Sequence, residues 1–200
     1  RSRGALYNID TTRSTIEKVA EGTSEFKTQG NNLFFYTSDG LYRYSLIFRN
    51  TTELISFVNP KNIKGFSGIF SGGVIVLYQS GELDLISGGN PVKIADKTKL
   101  FAISDSGKLI AFGNNDQSLH VYDTEKQKYA DIKNGVVGNL SKIVWYKDNN
   151  HLLLQNGDSL YFTEISETVP VNSFKITSGV RDFFYDEDKN TVYINSENGT

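Results

Sequence analysis

Apolar residues recur along the chain in short segments that alternate with polar residues, and glycine, asparagine, aspartate and serine separate these segments. Such runs, rich in valine, isoleucine, phenylalanine and tyrosine, are typical of β-strands. No segment has the longer period of an amphipathic helix. The pattern predicts an all-β protein, with strands in segments such as 6–9, 83–85, 119–122 and 191–194.

The strand pattern repeats at intervals of about 40 residues, and each interval has room for four strands. A leucine marks the same position in every interval: Leu6, Leu41, Leu83, Leu119 and Leu160. This period predicts a β-propeller of four-stranded blades, with five repeat units that fill residues 1–200 as a single propeller domain or a propeller fragment. A five-bladed ring would close by pairing 5–10 with 191–196, whereas an arc of a larger propeller would show the same repeat.

The second strand of each unit is apolar almost throughout, which is typical of a strand that is buried on both faces. We expect burial of Leu33, Phe35, Val74, Val76, Leu109, Ala111, Leu152 and Leu154. A polar turn at 104–107, in the stretch "SDSGKLIAF", leads into one of these strands. Asp105 is expected to bind the backbone of this turn, and Gly107 to adopt a positive φ. Similar junctions at 146–150 and 185–190 indicate that the turn is architectural.

Trp145 lies in the apolar segment 143–146, which is the innermost strand of its unit. A large ring at this position fills the wedge between neighbouring blades. We therefore predict that Trp145 is a packing residue.

Two stretches resemble a known family. "SDSGKLIAF" (104–112) is similar to the Ser-Pro-Asp-Gly-Lys-x-Ile-Ala-Phe signature of TolB-like, WD-repeat-like bacterial propellers. "IVWYKDNNHLLLQNGDSLYFTEI" (143–165) resembles most closely the propellers that follow PEGA domains in bacterial envelope proteins. The chain departs from the family pattern at Ser106, Tyr146 and Lys147. The resemblance implies a propeller with a non-enzymatic binding role outside the cytoplasm or in the cell envelope, and it transfers no functional residue.

Composition narrows the possible partners. Lys and Arg total 21 against 23 Asp and Glu, a net charge of -2, so the chain lacks the basic surface that nucleic-acid binding requires. Cysteine is absent, which excludes disulfides and cysteine zinc sites.

No apolar run approaches the roughly 18 residues of a membrane helix. The sequence begins with Arg1 and contains no methionine, so we expect a part of a longer chain in which an N-terminal membrane anchor could precede it.

Catalytic and metal-binding patterns are weak. His120 occupies a position where other units have tyrosine, which indicates packing, and His151 is expected to be a solvated edge residue. We predict no metal site, no cofactor and no catalytic residue. The alternatives are a five-bladed glycoside hydrolase, which needs paired carboxylates, or the non-catalytic propeller of a serine peptidase. The candidate acids for the first are Asp10, Asp84, Asp123, Asp182, Glu187 and Asp188.

The best candidate binding surface is the rim formed by second-to-third-strand turns and by the connections between units. The turns carry acids and the connections carry lysines, which is typical of a solvated surface. The longest connections are 59–65 and 134–139. We predict contacts to an unidentified protein or glycan at Lys61, Lys64, Val136, Val137 and Asn139. The leading hypothesis is a non-enzymatic interaction module.

Overall fold

The computed structural model describes residues 4–56, 63–69, 72–88, 90–116, 118–131, 138–165 and 172–196. Within these ranges the chain forms twenty β-strands and no helix, as the alternating pattern predicted. No helix in these ranges is long and apolar enough to cross a membrane. The chain divides into two compact units, Arg1–Ala95 and Asp96–Thr200.

The first unit contains ten strands in three antiparallel sheets. The sheets have the strand orders β1-β2, β3-β4-β5-β6 and β7-β8-β9-β10, so each strand pairs with its neighbour in sequence. The strands are β1 (Gly4–Asp10), β2 (Thr15–Thr23), β3 (Glu25–Gln29), β4 (Asn32–Tyr36), β5 (Gly40–Ser45), β6 (Asn50–Ser56), β7 (Ile63–Gly68), β8 (Val74–Tyr78), β9 (Leu83–Ser87) and β10 (Asn90–Ala95).

The second unit follows the same plan, with sheets ordered β11-β12-β13-β14, β15-β16-β17-β18 and β19-β20. The four-stranded sheets confirm the predicted blades, and the pairing of 5–10 with 191–196 stays a prediction. The strands are β11 (Thr98–Ile103), β12 (Leu109–Asn114), β13 (Leu119–Asp123), β14 (Lys128–Asp131), β15 (Leu140–Trp145), β16 (His151–Asn156), β17 (Ser159–Glu164), β18 (Ser173–Thr177), β19 (Val180–Asp186) and β20 (Thr191–Ser196).

The second strand of each four-stranded sheet lies in the core. Every residue of β8 is buried, as its uninterrupted apolar sequence predicted. Burial is confirmed for all the residues expected except Leu109, which is half-buried because it opens β12 and lines a cavity. The others are Leu33, Phe35, Val74, Val76, Ala111, Leu152 and Leu154.

Close packing joins two sheets of the first unit. The ring of Phe34 is fully buried in a cluster with Phe66 and Val74. A Cβ atom on Gly68 would lie only 2.2 Å from Cε2 of Phe34, so glycine makes room for the ring. This contact holds the innermost strand of one blade against the second strand of the other.

Trp145 is a packing residue, as predicted. Its side chain is only 8% exposed and packs in a cluster with Leu119 and Leu152 of the second unit. Its Nε1–H donates a hydrogen bond to the carbonyl of Ala102, 3.0 Å away on the neighbouring sheet. The ring therefore joins two blades through both apolar contact and a polar bond.

The turn at 104–107 is architectural, but Asp105 does not hold it. The buried Ser104 hydroxyl accepts a hydrogen bond from the N–H of Leu109 at 3.1 Å. Gly107 has a φ of 70° and donates its N–H to the Ser104 carbonyl. Asp105 is exposed, and the side-chain hydrogen bonds described for this turn come from Ser104 and Ser106. The prediction for Asp105 is wrong because Ser104 is the residue that points into the turn.

Candidate functional site

One six-residue turn occurs four times, at 10–15, 45–50, 123–128 and 186–191, each time between two consecutive antiparallel strands. Its fifth residue has a positive φ: Ser14 (51°), Arg49 (52°), Gln127 (53°) and Asn190 (50°). A side-chain oxygen of its first residue accepts a hydrogen bond from the N–H of the fourth: Asp10 from Arg13 at 3.1 Å, Ser45 from Phe48 at 3.2 Å, Asp123 from Lys126 at 2.9 Å and Asp186 from Lys189 at 3.1 Å. The backbone of the turn therefore depends on its first and fifth positions.

The residues at the tip of this turn differ between the copies. Three copies carry polar tips, with Thr-Thr-Arg at 11–13, Thr-Glu-Lys at 124–126 and Glu-Asp-Lys at 187–189. The copy at 45–50 carries Leu46, Ile47 and Phe48, which we call the apolar tip. These side chains are 37%, 62% and 79% exposed, respectively. Three consecutive exposed apolar residues are unusual on a protein surface and indicate an interaction site.

The charges next to the apolar tip balance one another. The Nη2 group of Arg49 lies 2.9 Å from Oδ2 of Asp10, which joins the turn at 45–50 to the turn at 10–15. The Thr12 hydroxyl and the N–H of Arg13 donate hydrogen bonds to Asp10 and lower the pKa of its carboxyl group. Asp10 therefore stays ionised and holds Arg49, so the tip projects beside a paired acid and base.

The predicted rim is made of the second-to-third-strand turns and the connections between units. It lies at the opposite end of the sheets from the turns that join third to fourth strands, such as 45–50 and 123–128, because successive turns of an antiparallel sheet lie at alternate ends. In the second unit, connections and second-to-third-strand turns do share this rim. The N–H of Gly157 donates to the Asn139 carbonyl at 3.1 Å, and the N–H of Val180 donates to the Asp158 carbonyl at 2.8 Å.

Only two of the five predicted binding residues lie in the described ranges. Asn139 is exposed, and its Oδ1 accepts a hydrogen bond from Nζ of Lys99 at 2.8 Å. Lys64 is exposed on β7. The others, Lys61, Val136 and Val137, lie outside the described residues. A partner at this rim stays a prediction.

The candidate carboxylates have separate structural environments. Nζ of Lys142 lies 2.7 Å from Oδ1 of Asp182 and 4.8 Å from the centre of the Phe183 ring. This ion pair lowers the pKa of Asp182. Asp84 is buried within β9, while Glu187 and Asp188 are exposed. In the part of the chain that the structure describes, no group of three or more acids and histidines is arranged to hold a metal ion.

The two histidines both pack on aromatic rings. His120 stacks on Phe112 with a centroid separation of 5.2 Å, as its predicted packing role requires. The prediction of a solvated His151 is wrong, because the ring is half-buried and stacks on Phe162 at 4.6 Å. Its Nδ1 lies 2.6 Å from Oδ2 of Asp148. Phe162 lies on the next strand, diagonally across from His151. Aromatic side chains can span the distance between two such positions.

The apolar tip is not among the binding residues that the sequence predicted. The signal is present in the sequence, because the four turns read "DTTRST", "SLIFRN", "DTEKQK" and "DEDKNT" at 10–15, 45–50, 123–128 and 186–191. Only the second has apolar residues at its tip. Finding it requires aligning the turns rather than the strands, and the second turn begins with Ser45 where the other three begin with aspartate.

No protein-family model matches the chain, and no curated protein matches it in sequence. Solved structures are similar to it. PorZ, an essential surface component of the type-IX secretion system of Porphyromonas gingivalis, matches with 11% identity and a TM-score of 0.56, over 95% of this chain and 27% of PorZ. The β-propeller domain of Cps50 from Myceliophteria thermophila matches with 11% identity and a TM-score of 0.61, over 98% of this chain and 75% of that one.

A third match is the extracellular domain of BT4673 from B. thetaiotaomicron, with 12% identity and a TM-score of 0.61. It covers 87% of this chain and 26% of that one, so the chain spans about a quarter of both PorZ and BT4673. At such low identity these similarities establish the fold. The chain has a β-propeller fold, as its period predicted.

Proposed function

We propose that the chain is a non-enzymatic protein-binding module whose main contact is the apolar tip. The observation that carries this proposal is the contrast among the four copies of one turn. The copies at 10–15 and 123–128 form the same backbone with polar tips. Folding therefore does not require Leu46, Ile47 and Phe48, whereas exposing them to water has a cost that a partner would remove.

The chemistry of the tip suits a protein partner. Fully burying a side chain such as leucine, isoleucine or phenylalanine contributes about 1.5–3 kcal/mol. Aromatic residues are enriched at the centres of protein interfaces, where a few residues carry most of the binding energy. Phe48 is the most exposed of the large apolar side chains in the described ranges, so it is the expected anchor. The paired Arg49 and Asp10 would form part of the polar rim around it.

The resemblance to TolB-like propellers that follow PEGA domains adds a location to this proposal. We place the chain in a bacterial envelope or secreted protein. Two similar structures support this, since one is a bacterial surface component and the other an extracellular domain. A glycan is the alternative partner, and a glycoside hydrolase or the propeller of a peptidase is the alternative function.

The test is to exchange the tip for that of its polar counterpart. The variant Leu46→Thr/Ile47→Thr/Phe48→Arg places the sequence of 11–13 on the turn at 45–50. Wild-type chain and variant are used to enrich proteins from solubilised bacterial envelopes. A protein that only the wild type enriches is then purified, and its affinity for both chains is measured by titration calorimetry. We expect at least tenfold weaker binding to the variant.

The control is Thr11→Ala/Arg13→Ala, which alters a polar tip and should bind the purified partner like the wild type. Equal binding of wild type and tip variant would contradict the proposal. Wild-type binding to phospholipid vesicles or to a glycan array, lost in the tip variant, would assign the tip to a lipid or sugar ligand instead. Turnover of chromogenic glycosides or peptides by the wild type would overturn the non-enzymatic assignment.

A further inference from the structure

A cavity of about 180 Å³ lies in the second unit, away from the apolar tip. Strands β12, β13 and β14 form one side of it. The other side is Ile165, which follows β17 of the neighbouring blade. The cavity therefore lies between two blades that already pack together through the cluster around Trp145.

The floor of the cavity is apolar. It is formed by Leu109, Val121 and Ile165, all of which belong to the same cluster as Trp145. An apolar cavity of about 150 Å³ accepts a molecule the size of benzene, so this one holds a single aromatic or branched aliphatic group. Leu109 and Ile165 are only half-buried, which leaves their apolar surface available to such a group.

The mouth of the cavity is positively charged. It is lined by Lys126, Lys128 and Asp123, with Tyr129 beside them on the edge strand. Asp123 accepts hydrogen bonds from the N–H groups of Glu125 and Lys126, and its Oδ2 lies 3.1 Å from Nζ of Lys126. The charge of Asp123 is thus occupied by its own turn and by one of the two lysines.

Lys128 provides the remaining positive charge. It lies opposite Asp123 in the β13–β14 ladder, yet no carboxylate of the described residues is within ion-pair distance of its ammonium group. Two lysines and one aspartate leave one net positive charge at the mouth. A single negative charge on the ligand would balance it.

From this combination we infer that the cavity binds a carboxylate attached to one benzene-sized apolar group. The apolar group lies on Leu109, Val121 and Ile165, and the carboxylate meets Lys128. A doubly charged phosphate would exceed the local positive charge, and a neutral apolar molecule would leave Lys128 without a partner. Two kinds of ligand have this chemistry. One is a free aryl or alkyl acid, and the other is the C-terminal residue of a peptide that ends in an apolar side chain.

The site is tested by adding 3-phenylpropionate to the full chain with its Ile, Leu and Val methyl groups labelled for NMR. We expect millimolar binding, as befits so small a ligand. The shifts should be concentrated at the methyl groups of Leu109, Val121 and Ile165. The matched probes are 3-phenylpropanamide, which lacks the charge, and acetate, which lacks the ring. Both should bind at least fivefold more weakly.

The variant Lys128→Gln should weaken binding of 3-phenylpropionate at least fivefold. Lys108→Gln is the matched control. It removes the same charge from the turn that leads into β12, but Lys108 pairs with Glu125 and does not line the cavity. The control should bind as the wild type does. If both variants lose the same binding affinity, the ligand is attracted only by the overall positive charge of the chain, and the site is overturned. Equal binding of acid and amide, or shifts spread away from the cavity, would also overturn it.

Two peptides distinguish the sources of the ligand. Gly-Gly-Ser-Phe with a free C-terminus is compared with the same peptide amidated. Binding of the free peptide at least as tight as that of 3-phenylpropionate, lost on amidation, identifies a peptide C-terminus as the ligand. Tenfold weaker binding of the free peptide identifies a free acid. Both results support a carboxylate site at Lys128, and this inference is independent of the apolar tip.

Discussion

The turns at 45–50 and 123–128 share a backbone but present opposite surfaces. Each begins with a side chain that accepts a backbone N–H and has a positive φ at its fifth residue. One projects the apolar tip into solvent. The other carries charged residues and borders a cavity with an apolar floor. The first is the proposed contact to a protein partner, whereas the second borders the proposed ligand site.

This difference shows which positions of a repeated turn serve the fold. The first and fifth residues are constrained by hydrogen bonding and by φ, so they keep the same properties in every copy. The residues between them are constrained only by what they contact outside the turn. Variation at these positions is therefore informative about binding, while variation at the first and fifth positions is informative about stability.

The largest expected effect is on the stability of the second unit, whose sheets support the turn at 123–128. Trp145→Ala should lower the free energy of unfolding of the second unit by about 3–5 kcal/mol, as is usual for large aromatic core truncations. It should leave binding through the apolar tip unchanged, since the tip belongs to the first unit. Urea denaturation followed by circular dichroism measures the loss. An unchanged midpoint would mean that the ring does not pack as described.

A smaller effect on stability is expected in the first unit, which carries the turn at 45–50. Gly68→Ala forces the ring of Phe34 to move and should cost about 1–3 kcal/mol, the usual range for overpacking. Gly4→Ala is the matched control, because no atom lies within 4 Å of a Cβ placed there. Thermal denaturation of both variants should show a lower midpoint for Gly68→Ala alone. Equal midpoints would contradict the close contact between the two blades.

The first position of the turn comes next. Asp123→Ala removes the acceptor for two backbone N–H groups and should destabilise the chain by about 1 kcal/mol. Ser45→Ala removes one weaker, neutral hydrogen bond and should cost about half as much. The two variants are compared by urea denaturation at neutral pH. A larger loss for Ser45→Ala would break the proposed equivalence of the two turns.

The same aspartate predicts a dependence on pH. The hydrogen bond from the N–H of Lys126, with further contacts from its ammonium group, lowers the pKa of Asp123 below 3.8 in the folded state. The folded chain therefore binds fewer protons than the unfolded chain in this range. The stability advantage of wild type over Asp123→Asn should be complete above about pH 4 and should disappear as pH falls through the lower, folded pKa. Thermal midpoints of both proteins between neutral and acidic pH measure this difference, and an advantage that grows on acidification would contradict it.

The smallest effect on stability is expected at the apolar tip itself. Phe48→Thr should change the free energy of unfolding by less than about 0.5 kcal/mol, because the side chain is exposed and the backbone N–H still reaches Ser45. The same change should weaken partner binding severalfold. A substantial loss of stability would show that Phe48 contributes to folding, and it would remove the basis for assigning the tip to a partner.

Local sequence patterns predicted the blades because strand period and burial are encoded in neighbouring residues. The uninterrupted apolar runs of β8 and β16 are sufficient to place those strands in the core. Which side chain closes a turn is a matter of geometry, and that is why Ser104 rather than Asp105 binds Leu109. His151 was misplaced for the same reason, since its partner Phe162 lies on the next strand. The cavity was not predicted, because Leu109, Lys128 and Ile165 are far apart in sequence.

Trp145 has one further consequence, for spectroscopy. It is the only tryptophan of the chain, whereas the eleven tyrosines are spread over both units. Selective excitation of the indole therefore reports on the second unit alone, while far-ultraviolet signals average over both. A red shift of the emission at a different denaturant concentration from the loss of ellipticity would reveal that the units unfold separately. Because the floor of the cavity belongs to the same cluster, a bound acid should also alter the quantum yield, so the chain carries its own optical probe of that site.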